Sequence, residues 1–283
     1  MPELPEVEVL VRHLAPLLEG RRVRDVQVFR PRVIRPVGVG AFRRALVGAT
    51  FVGLTRRGKY LRFRLRRSAN HSAFSLLGHL GMTGRMFLQP AHTPLPKHAA
   101  VVFALGPVTL VHEDTRYFGR LSLDTRALGA LGPEPLEPAF TSDDLARGLA
   151  RSRQAVKLRL LDQSLVAGIG NIYASEALFA ARLSPQRAAG KLSLAEVRNL
   201  WRSLRRVLAQ AVAWGSTVPL DWRGSGHRDR LFYYGLAAGA PDYYVERLRV
   251  YGRAGQPCPR CRTAIRRIVQ AGRSTFFCPC CQR

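Results

Sequence analysis

The sequence has little lysine, little negative charge and no long apolar run. Acidic residues number 19 against 45 basic ones, and only four of the basic residues are lysine. A stretch of about 18 consecutive apolar residues is absent, which argues against a membrane-spanning helix and against a membrane partner. The acidic N-terminus also lacks the basic and apolar regions of a signal peptide, so we expect a cytoplasmic protein.

The charge imbalance is the strongest global signal. The formal net charge of the 283-residue chain is +26. A field of this sign attracts polyanions, and binding to nucleic acid with release of counterions is its usual use. A basic surface with no dedicated partner is the alternative. Because arginine dominates, each lysine that is kept in an arginine-rich stretch is a candidate for amine chemistry.

The first 130 or so residues have the pattern of strands. In "KYLRFRLRR" the apolar residues Leu61, Phe63 and Leu65 alternate with arginines, which is the period of a half-buried strand with a basic outer face. Three further strand-length apolar runs follow, "SAFSLLGHL", "HAAVVFAL" and "VTLVHED". We therefore predict an α+β protein that begins with a helix and a β-sandwich domain over residues 1–133.

Three prolines in "LGPEPLEPAF" indicate a linker before a helical domain over residues 141–217. Its clearest helix begins at a predicted capping box of Ser193 and Glu196. Residues 218–246 lose the helical period and are predicted to form a long loop or a lid. Residues 247–283 hold nine arginines and no acidic residue, and form the last predicted domain.

All five cysteines lie in this tail, in "CPRC" and "CPCC". The two Cys-x-x-Cys pairs have the spacing of a four-thiolate zinc site, with the predicted ligands Cys258, Cys261, Cys278 and Cys281. Disulfides are the alternative, which a cytoplasmic location disfavours. Cys280 is left over and competes with Cys281 as a ligand. A zinc ribbon this small depends on one structural metal ion for its folding free energy.

Two glycine-containing motifs add candidate sites. In "LVAGIGNIYASEALF" the glycines permit a tight turn whose backbone N–H groups could approach a phosphate, and Asn171 is predicted to cap the next helix. A plain interhelical turn is the alternative. In "RRGKYL", Lys59 is either a reactive amine or an ordinary surface cation.

Three side chains are candidates for entering a duplex. "HLGMTG" and "EDTRYFG" place Met82, Arg116 and Phe118 on predicted loops. Apolar wedges beside an arginine suit the kinking of DNA or the filling of a gap left by an extruded base. Core packing is the alternative for Phe118.

The opening "MPELPEVEV" predicts a helix over about residues 5–18, with Pro5 at its first position and Glu6 near the positive end of its dipole. Pro2 and Glu3 have no part in that explanation. A free N-terminal proline would be a secondary amine, which is nucleophilic when it is unprotonated.

These blocks together resemble one family, the bacterial formamidopyrimidine-DNA glycosylases. The resemblance extends over nearly the whole chain, through "PELPEVE", "RRGKYL", "HLGMTG", "DTRYFG", "LGPEPL", "GIGNIYASEALF", "VYGR" and "GRSTFFC" in the same order. It implies a helix–two-turns–helix motif in the helical domain, a C-terminal zinc ribbon and a monomer that acts on damaged duplex DNA.

The resemblance also implies residue roles. Removal of Met1 would leave Pro2 as the nucleophile that forms a Schiff base with deoxyribose, after which β- and δ-elimination cut the strand. Glu3 would handle protons at the sugar, Lys59 would be the acid–base residue of β-elimination, and Glu6 would be a supporting carboxylate. Arg273, on a hairpin between the cysteine pairs, would grip phosphate and serve δ-elimination. The implied DNA contacts are Met82, His98, Arg116, Phe118, Arg153, Lys157 and Asn171.

Two features depart from the family pattern. Residues 218–246 correspond to its lesion-recognition loop, but they are longer here and lack its glycine-rich character. The chain has Arg151–Arg153 where the family often has lysines. A glycosylase of the helix–hairpin–helix type and a non-catalytic zinc protein that binds bent DNA are the competing hypotheses.

Overall fold

The computed structural model describes residues 2–68, 70, 72–213 and 248–283. The predicted loop at 218–246 therefore lies outside the described residues. The described chain forms two compact units. One holds Pro2 and Glu6–Gly129, and the other holds Glu3–Pro5 with residues 130–213 and 248–283.

The first unit contains a β-sandwich, as predicted. Its strands are β1 Asp25–Val28, β2 Thr50–Arg57, β3 Tyr60–Arg66, β4 Phe74–His79, β5 Gly84–Pro90, β6 Ala99–Ala104, β7 Val108–Asp114 and β8 Arg120–Ser122. One sheet has the strand order β1-β6-β7-β5 and the other β2-β3-β4-β8. Every pair of neighbouring strands in these two sheets is antiparallel.

The basic strand is confirmed as β3. Leu61, Phe63 and Leu65 are buried, and the arginines between them are exposed. Leu61 and Phe63 pack in one core with Phe103 and Leu110 of the other sheet and with the apolar face of α1 (Leu4–Leu18). Burial of this shared core is the main stabilising term of the unit.

Sequence reasoning missed one helix here, α2 (Val39–Leu46). Its eight residues bury Phe42 and Leu46 and expose the arginines between them. The helix is too short to show its period clearly, and Pro36, Gly38 and Gly40 suggest a loop.

Within its described residues, the second unit contains four α-helices and a two-stranded ribbon. The helices are α3 Ser142–Leu149, α4 Val156–Leu160, α5 Asn171–Ala181 and α6 Leu194–Ala213, and the ribbon strands are β9 Arg266–Gln270 and β10 Arg273–Phe277. The capping box before α6 is confirmed, because Ser193 and Glu196 each accept the other's backbone N–H, at 3.3 and 2.8 Å. The described helices include none that is long and apolar enough to cross a membrane.

Helix α5 is the centre of this unit. Nine of its eleven residues are buried, so it has no solvent-facing stripe. It packs against α6 and β10. Its N-terminus and its middle each bind a distant part of the chain, and these two contacts build much of the candidate site.

Candidate active site and nucleic-acid interface

The four predicted zinc ligands lie together. The Sγ atoms of Cys258, Cys261, Cys278 and Cys281 are all within 4.8 Å of one another. Cys258 Sγ lies 3.9 Å from Cys281 Sγ, and Cys261 Sγ lies 3.4 Å from Cys278 Sγ. A tetrahedral zinc ion with Zn–S bonds of about 2.3 Å needs sulfur separations of about 3.8 Å, so the four residues fit one zinc ion.

The surroundings of the sulfurs agree with that fit. Cys258 Sγ accepts the backbone N–H of Arg260, and Cys278 Sγ accepts that of Cys281, both at 3.4 Å. Backbone N–H groups that donate to the sulfurs help to orient them as metal ligands. Cys280 is exposed and lies outside the cluster, so the choice between it and Cys281 falls to Cys281.

Glu3 caps helix α5 from the far end of the chain. Its buried carboxylate accepts the backbone N–H groups of Gly170 at 2.7 Å, Ile172 at 2.8 Å and Tyr173 at 3.2 Å. The N–H groups of Ile172 and Tyr173 are first-turn donors that have no partner within the helix, and Gly170 directly precedes it. The carboxylate also suits the positive end of the helix dipole. The adjoining Leu4 N–H donates to the carbonyl of Gly168 at 3.0 Å.

The prediction that Asn171 caps α5 is therefore wrong. Asn171 is the first helical residue, and its side chain makes no capping hydrogen bond. Glu3 takes that role. The glycine turn also holds this carboxylate in the place where we considered a phosphate.

Close approach explains the glycines of this turn. A Cβ on Gly170 would lie 2.4 Å from Cδ of Glu3, and a Cβ on Gly168 would lie 2.7 Å from Cβ of Leu4. Gly168 also has a φ of +85°, which favours glycine. Both positions bring the N-terminal segment against the start of α5.

The Asn171 side chain contacts the zinc ribbon instead. Its Nδ2 donates a hydrogen bond to the carbonyl of Ser274 at 2.9 Å, and its Oδ1 accepts a hydrogen bond from Lys157 Nζ at 2.6 Å. The Lys157 ammonium is buried, and it also donates to Thr275 Oγ1 at 2.6 Å and to the Ser274 carbonyl at 3.1 Å. Each of the three N–H groups of the ammonium can thus donate a hydrogen bond to a protein acceptor. The direct phosphate contact predicted for Lys157 stays a prediction.

Arg273 begins β10, directly after a two-residue turn of Ala271 and Gly272, as the predicted hairpin requires. Both turn residues have a positive φ, of 47° and 72°, the geometry of a tight hairpin turn. The Arg273 side chain is exposed. It is therefore open to an anion that approaches the hairpin.

Lys59 lies in the turn of another hairpin, in the first unit. Arg57 pairs with Tyr60, so Gly58 and Lys59 form the two-residue turn between β2 and β3. The Lys59 side chain is buried. The positive charge of Lys59 acts on His79. Burial lowers the pKa of His79 to about 4, and repulsion by Lys59 and Arg120 adds to this shift. His79 is thus neutral near pH 7.

The three predicted duplex-entering residues contact one another. Arg116 Nη1 lies 3.4 Å from Met82 Sδ, and the Arg116 guanidinium lies 4.6 Å from the centre of the Phe118 ring. Met82 and Phe118 are exposed large apolar residues, so core packing is not the role of Phe118. This cation–π pair and its methionine form one protruding group, which we call the wedge.

Asp114 ties the two loops of the wedge together, and sequence reasoning missed it. Its carboxylate accepts the Thr83 hydroxyl at 2.6 Å and the backbone N–H groups of Arg116 at 3.1 Å and Gly119 at 2.7 Å. Burial raises its pKa, but these hydrogen bonds outweigh burial and hold the pKa below its usual value. The only sequence signal was an acidic residue beside "TRYFG".

The remaining predicted residues are placed as follows. Pro2 is buried just before α1, and Glu6 is fully buried in the first turn of α1. His98 is half-buried, with its Nδ1 3.4 Å from the Tyr117 hydroxyl. Arg153 is exposed just before α4.

A second buried carboxylate, Glu176, anchors the return of the chain to the second unit. It accepts the backbone N–H groups of Arg249, Val250 and Tyr251, each at 2.9 Å. Burial raises the pKa of Glu176, and the three hydrogen bonds oppose that rise. Helix α5 therefore fixes the start of the zinc-binding tail.

Comparisons with known proteins agree with this arrangement. Residues 1–121 match the formamidopyrimidine-DNA glycosylase N-terminal domain, residues 131–220 match the H2TH domain of the same enzymes, and residues 255–283 match the zinc finger found in FPG and IleRS. Curated relatives named formamidopyrimidine-DNA glycosylase include one from Carboxydothermus hydrogenoformans, 40% identical, and one from Geobacillus kaustophilus, 42% identical. Each alignment covers the whole of both chains.

Solved structures give the same answer. A complex of the Lactococcus lactis FPG mutant G226P with DNA containing Fapy-dG has a TM-score of 0.87 and 31% identity over the whole of both chains. A complex of MutM with DNA containing carbocyclic 8-oxo-G has a TM-score of 0.86 and 31% identity, again over both whole chains. The chain belongs to the formamidopyrimidine-DNA glycosylase family.

Proposed function

We propose that this protein excises oxidised purines, namely 8-oxoguanine and formamidopyrimidines, from duplex DNA and then cleaves the strand at the resulting abasic site. The observation that carries the proposal is the fixation of the N-terminal segment. Glu3 and Leu4 are held by hydrogen bonds to the start of α5 and to the turn before it. A segment held this firmly offers the neighbouring Pro2 a defined position, which a nucleophile requires.

The chemistry starts at the nitrogen of Pro2 once Met1 has been removed. Its lone pair attacks C1′ of the damaged nucleotide, and the C1′–N bond to the base breaks with its electron pair, which the base keeps as it gains a proton. The first product is a sugar joined to nitrogen at C1′, and the nitrogen loses its proton. The C1′–O4′ bond then breaks, O4′ takes up a proton as the ring opens, and the nitrogen lone pair forms an iminium with C1′. A secondary amine has no second N–H proton to lose, so the iminium stays electrophilic.

Elimination then follows from the acidity that the iminium gives to C2′. Loss of a C2′ proton expels the 3′ phosphate, and loss of a C4′ proton, after the intervening bonds have shifted, expels the 5′ phosphate. We assign Glu3 to proton transfer at the sugar ring and Lys59 to acid–base catalysis of β-elimination. Glu6 supports the amine, and Arg273 stabilises the phosphate that leaves in δ-elimination.

The DNA contacts divide into two kinds. The wedge of Met82, Arg116 and Phe118 enters the duplex and fills the space of the extruded nucleotide. His98, Arg153, Asn171 and Arg273 contact phosphates, which position the enzyme without reading sequence. The structural neighbours support this substrate class, since they are complexes with DNA that contains Fapy-dG, carbocyclic 8-oxo-G or an abasic site.

One zinc ion bound by the four cysteines supports the hairpin that carries Arg273. The chemistry that zinc supplies here is structural, because all four ligands are protein thiolates and no position remains for substrate.

We further propose that the enzyme works as a monomer in the bacterial cytoplasm, where its chromosomal substrate lies. We also propose four domain bounds. They are a catalytic β-sandwich domain over 1–133, a helical DNA-binding domain over 141–217, a lesion-recognition loop over 218–246 and a zinc finger over 247–283.

Borohydride trapping tests the covalent step. The protein is incubated with an 8-oxoguanine duplex and sodium borohydride, digested, and the adduct is located by mass spectrometry. We expect the reduced sugar on the N-terminal nitrogen of Pro2. An adduct on a lysine would instead support the helix–hairpin–helix type of chemistry, and binding with no adduct or strand cleavage would support the non-catalytic alternative.

A matched variant sharpens this test. A protein that keeps one extra N-terminal residue before Pro2 retains all side chains but has an amide in place of the secondary amine. We expect it to bind an abasic duplex and to give no trapped complex. Full-speed cleavage by this extended protein would refute the proposal.

A further inference from the structure

Lys157 is an unusual lysine because its whole side chain is buried. It is fully inaccessible to solvent and is among the largest such side chains in the described protein. Burial of an ammonium group is costly unless it is fully hydrogen-bonded. An evolved DNA contact would be expected to project toward solvent, as Arg273 does.

The ammonium is fully hydrogen-bonded inside the protein. Its three acceptors are the Asn171 amide oxygen, the Thr275 hydroxyl and the Ser274 carbonyl, at 2.6, 2.6 and 3.1 Å. Asn171 closes the arrangement by donating to the same Ser274 carbonyl at 2.9 Å. An ammonium has three protons, so a phosphate could bind to Lys157 only by replacing one of these partners.

Lys157 and its three partners lie on three separate elements of the second unit. Lys157 is on α4, Asn171 begins α5, and Ser274 and Thr275 are on β10. Thr275 is itself fully buried, and Ser274 directly follows Arg273. One ammonium therefore joins the two helices to the strand that carries the exposed arginine of the hairpin.

The electrostatic environment agrees with a structural use of this charge. Burial lowers the pKa of Lys157 to about 8; attraction by Glu3 opposes that shift, and repulsion by Arg273 adds to it. The ammonium thus lies within the influence of two residues to which the proposed function gives chemical roles.

We propose that Lys157 is a positioning residue that fixes the zinc hairpin on helices α4 and α5, and that it acts on DNA only through Asn171 and Arg273. We call the hydrogen bonds from Lys157 to Asn171, Ser274 and Thr275 the brace. The consequence for DNA rests on the proposed function, but the existence of the brace does not. Other contacts hold the ribbon elsewhere, such as Gln282 Nε2 to the Leu183 carbonyl at 2.9 Å and Arg260 Nη1 to the Phe179 carbonyl at 2.7 Å. Loss of the brace should therefore loosen the hairpin while the cysteine end stays attached.

The test uses the full zinc-loaded protein without DNA. Lys157→Met keeps most of the side-chain volume and removes the ammonium. We expect amide hydrogen exchange in residues 273–277 to become at least tenfold faster, because the acceptors on β10 lose their donor. The control is Lys191→Met, which removes an exposed lysine in the same unit and should leave exchange in this strand unchanged.

A direct phosphate contact predicts the opposite pattern. It leaves exchange in the DNA-free Lys157→Met protein unchanged and lowers the salt dependence of DNA binding by about one counterion. That result would overturn the proposal. It is independent of borohydride trapping, so failure of the covalent chemistry and failure of the brace can be told apart.

A second variant protects the test against misfolding. Thr275→Val is nearly isosteric and removes one acceptor of the ammonium while Lys157 remains. It should also speed exchange in β10, and the double variant with Lys157→Met should show less than the product of the two single effects. Independent effects of the two substitutions would contradict the brace.

Discussion

Glu3 accepts the backbone N–H of Gly170 over 2.7 Å, although 167 residues separate them in the chain. A carboxylate with a proposed role in catalysis is thus also the N-terminal cap of the most buried helix of its unit. Activity and stability should be difficult to separate at this residue. Substitutions of Glu3 alone would confuse the two, so the glycine side of the contact is more informative.

Gly170→Ala should destabilise the protein and displace Glu3. The new Cβ would lie 2.4 Å from Cδ of Glu3, so the carboxylate must move and leave up to three buried N–H groups without an acceptor. At about 1–3 kcal/mol for each such group, we expect a loss of about 3 kcal/mol or more in the free energy of unfolding. Urea denaturation measures it. The control is Gly53→Ala, where an added Cβ meets no atom within 4 Å.

Asp114→Ala should weaken lesion excision more than cleavage of a pre-formed abasic site. The substitution frees Thr83 and the N–H groups of Arg116 and Gly119, so the wedge loses its fixed geometry. An abasic site has no base to extrude and depends less on the wedge. We expect excision of 8-oxoguanine to slow by about tenfold or more in single-turnover assays, in line with the loss of about 1.4 kcal/mol of transition-state stabilisation.

The control for Asp114 is Asp124→Ala in the same unit. Asp124 is an exposed aspartate that pairs with Arg126. This variant should excise and cleave like the parent protein. Equal slowing of both reactions by Asp114→Ala would show a general folding defect in place of a role in the wedge.

His112 should make the protein less stable in acid. The imidazole is fully buried, and within the described part of the chain neither ring nitrogen has a hydrogen-bond partner. Burial lowers its pKa from 6.5 to about 4, against the opposing effect of Asp114. Below pH 6.5 the unfolded chain takes up a proton that the folded protein does not, so stability falls as the pH drops toward 4.

The size of this effect is limited by the pKa shift and amounts to roughly 3 kcal/mol at most for one histidine. Urea denaturation at pH 7 and pH 4.5 measures it. His112→Leu should reduce the difference between the two pH values, while His79, whose pKa is also about 4, still contributes. An unchanged difference in the variant would exclude His112 as the cause.

Zinc removal should unfold the ribbon and abolish tight binding to damaged duplex. The apolar cluster around the cysteines is small, with Phe179, Val250 and Ile265 as its other buried members. The metal must therefore supply much of the folding free energy of the tail. Cys261→Ser should lower the bound zinc below one per chain, whereas Cys280→Ser, at the exposed cysteine, should keep it at one. Full affinity after chelation would show that the ribbon does not need its metal.

Local patterns were the part of this fold that the sequence could predict. The alternation in β3, the capping box of Ser193 and Glu196 and the two Cys-x-x-Cys pairs all depend on residues that are close in the chain. Each of them is present in the structure. The short helix α2 was missed because its length gives too few turns for a clear period.

Long-range contacts could not be predicted in this way. Asn171 has the composition of a helix cap, but Glu3 reaches the same N–H groups from the other end of the sequence. The burial of Lys157 and the loop-tying role of Asp114 likewise depend on which distant acceptors and donors the fold brings near. The family resemblance gave Lys157 a direct phosphate contact, and nothing in the local sequence indicated that its side chain is buried.

The anchoring of Arg249, Val250 and Tyr251 by Glu176 has a consequence for how this gene can diverge. Leu208 of α6 and Leu248 lie in the same apolar core, so the chain is secured on both sides of residues 214–247. Insertions or deletions between these two attachment points need not disturb the packing on either side. Both attachment points can therefore stay the same while the length of the segment between them varies.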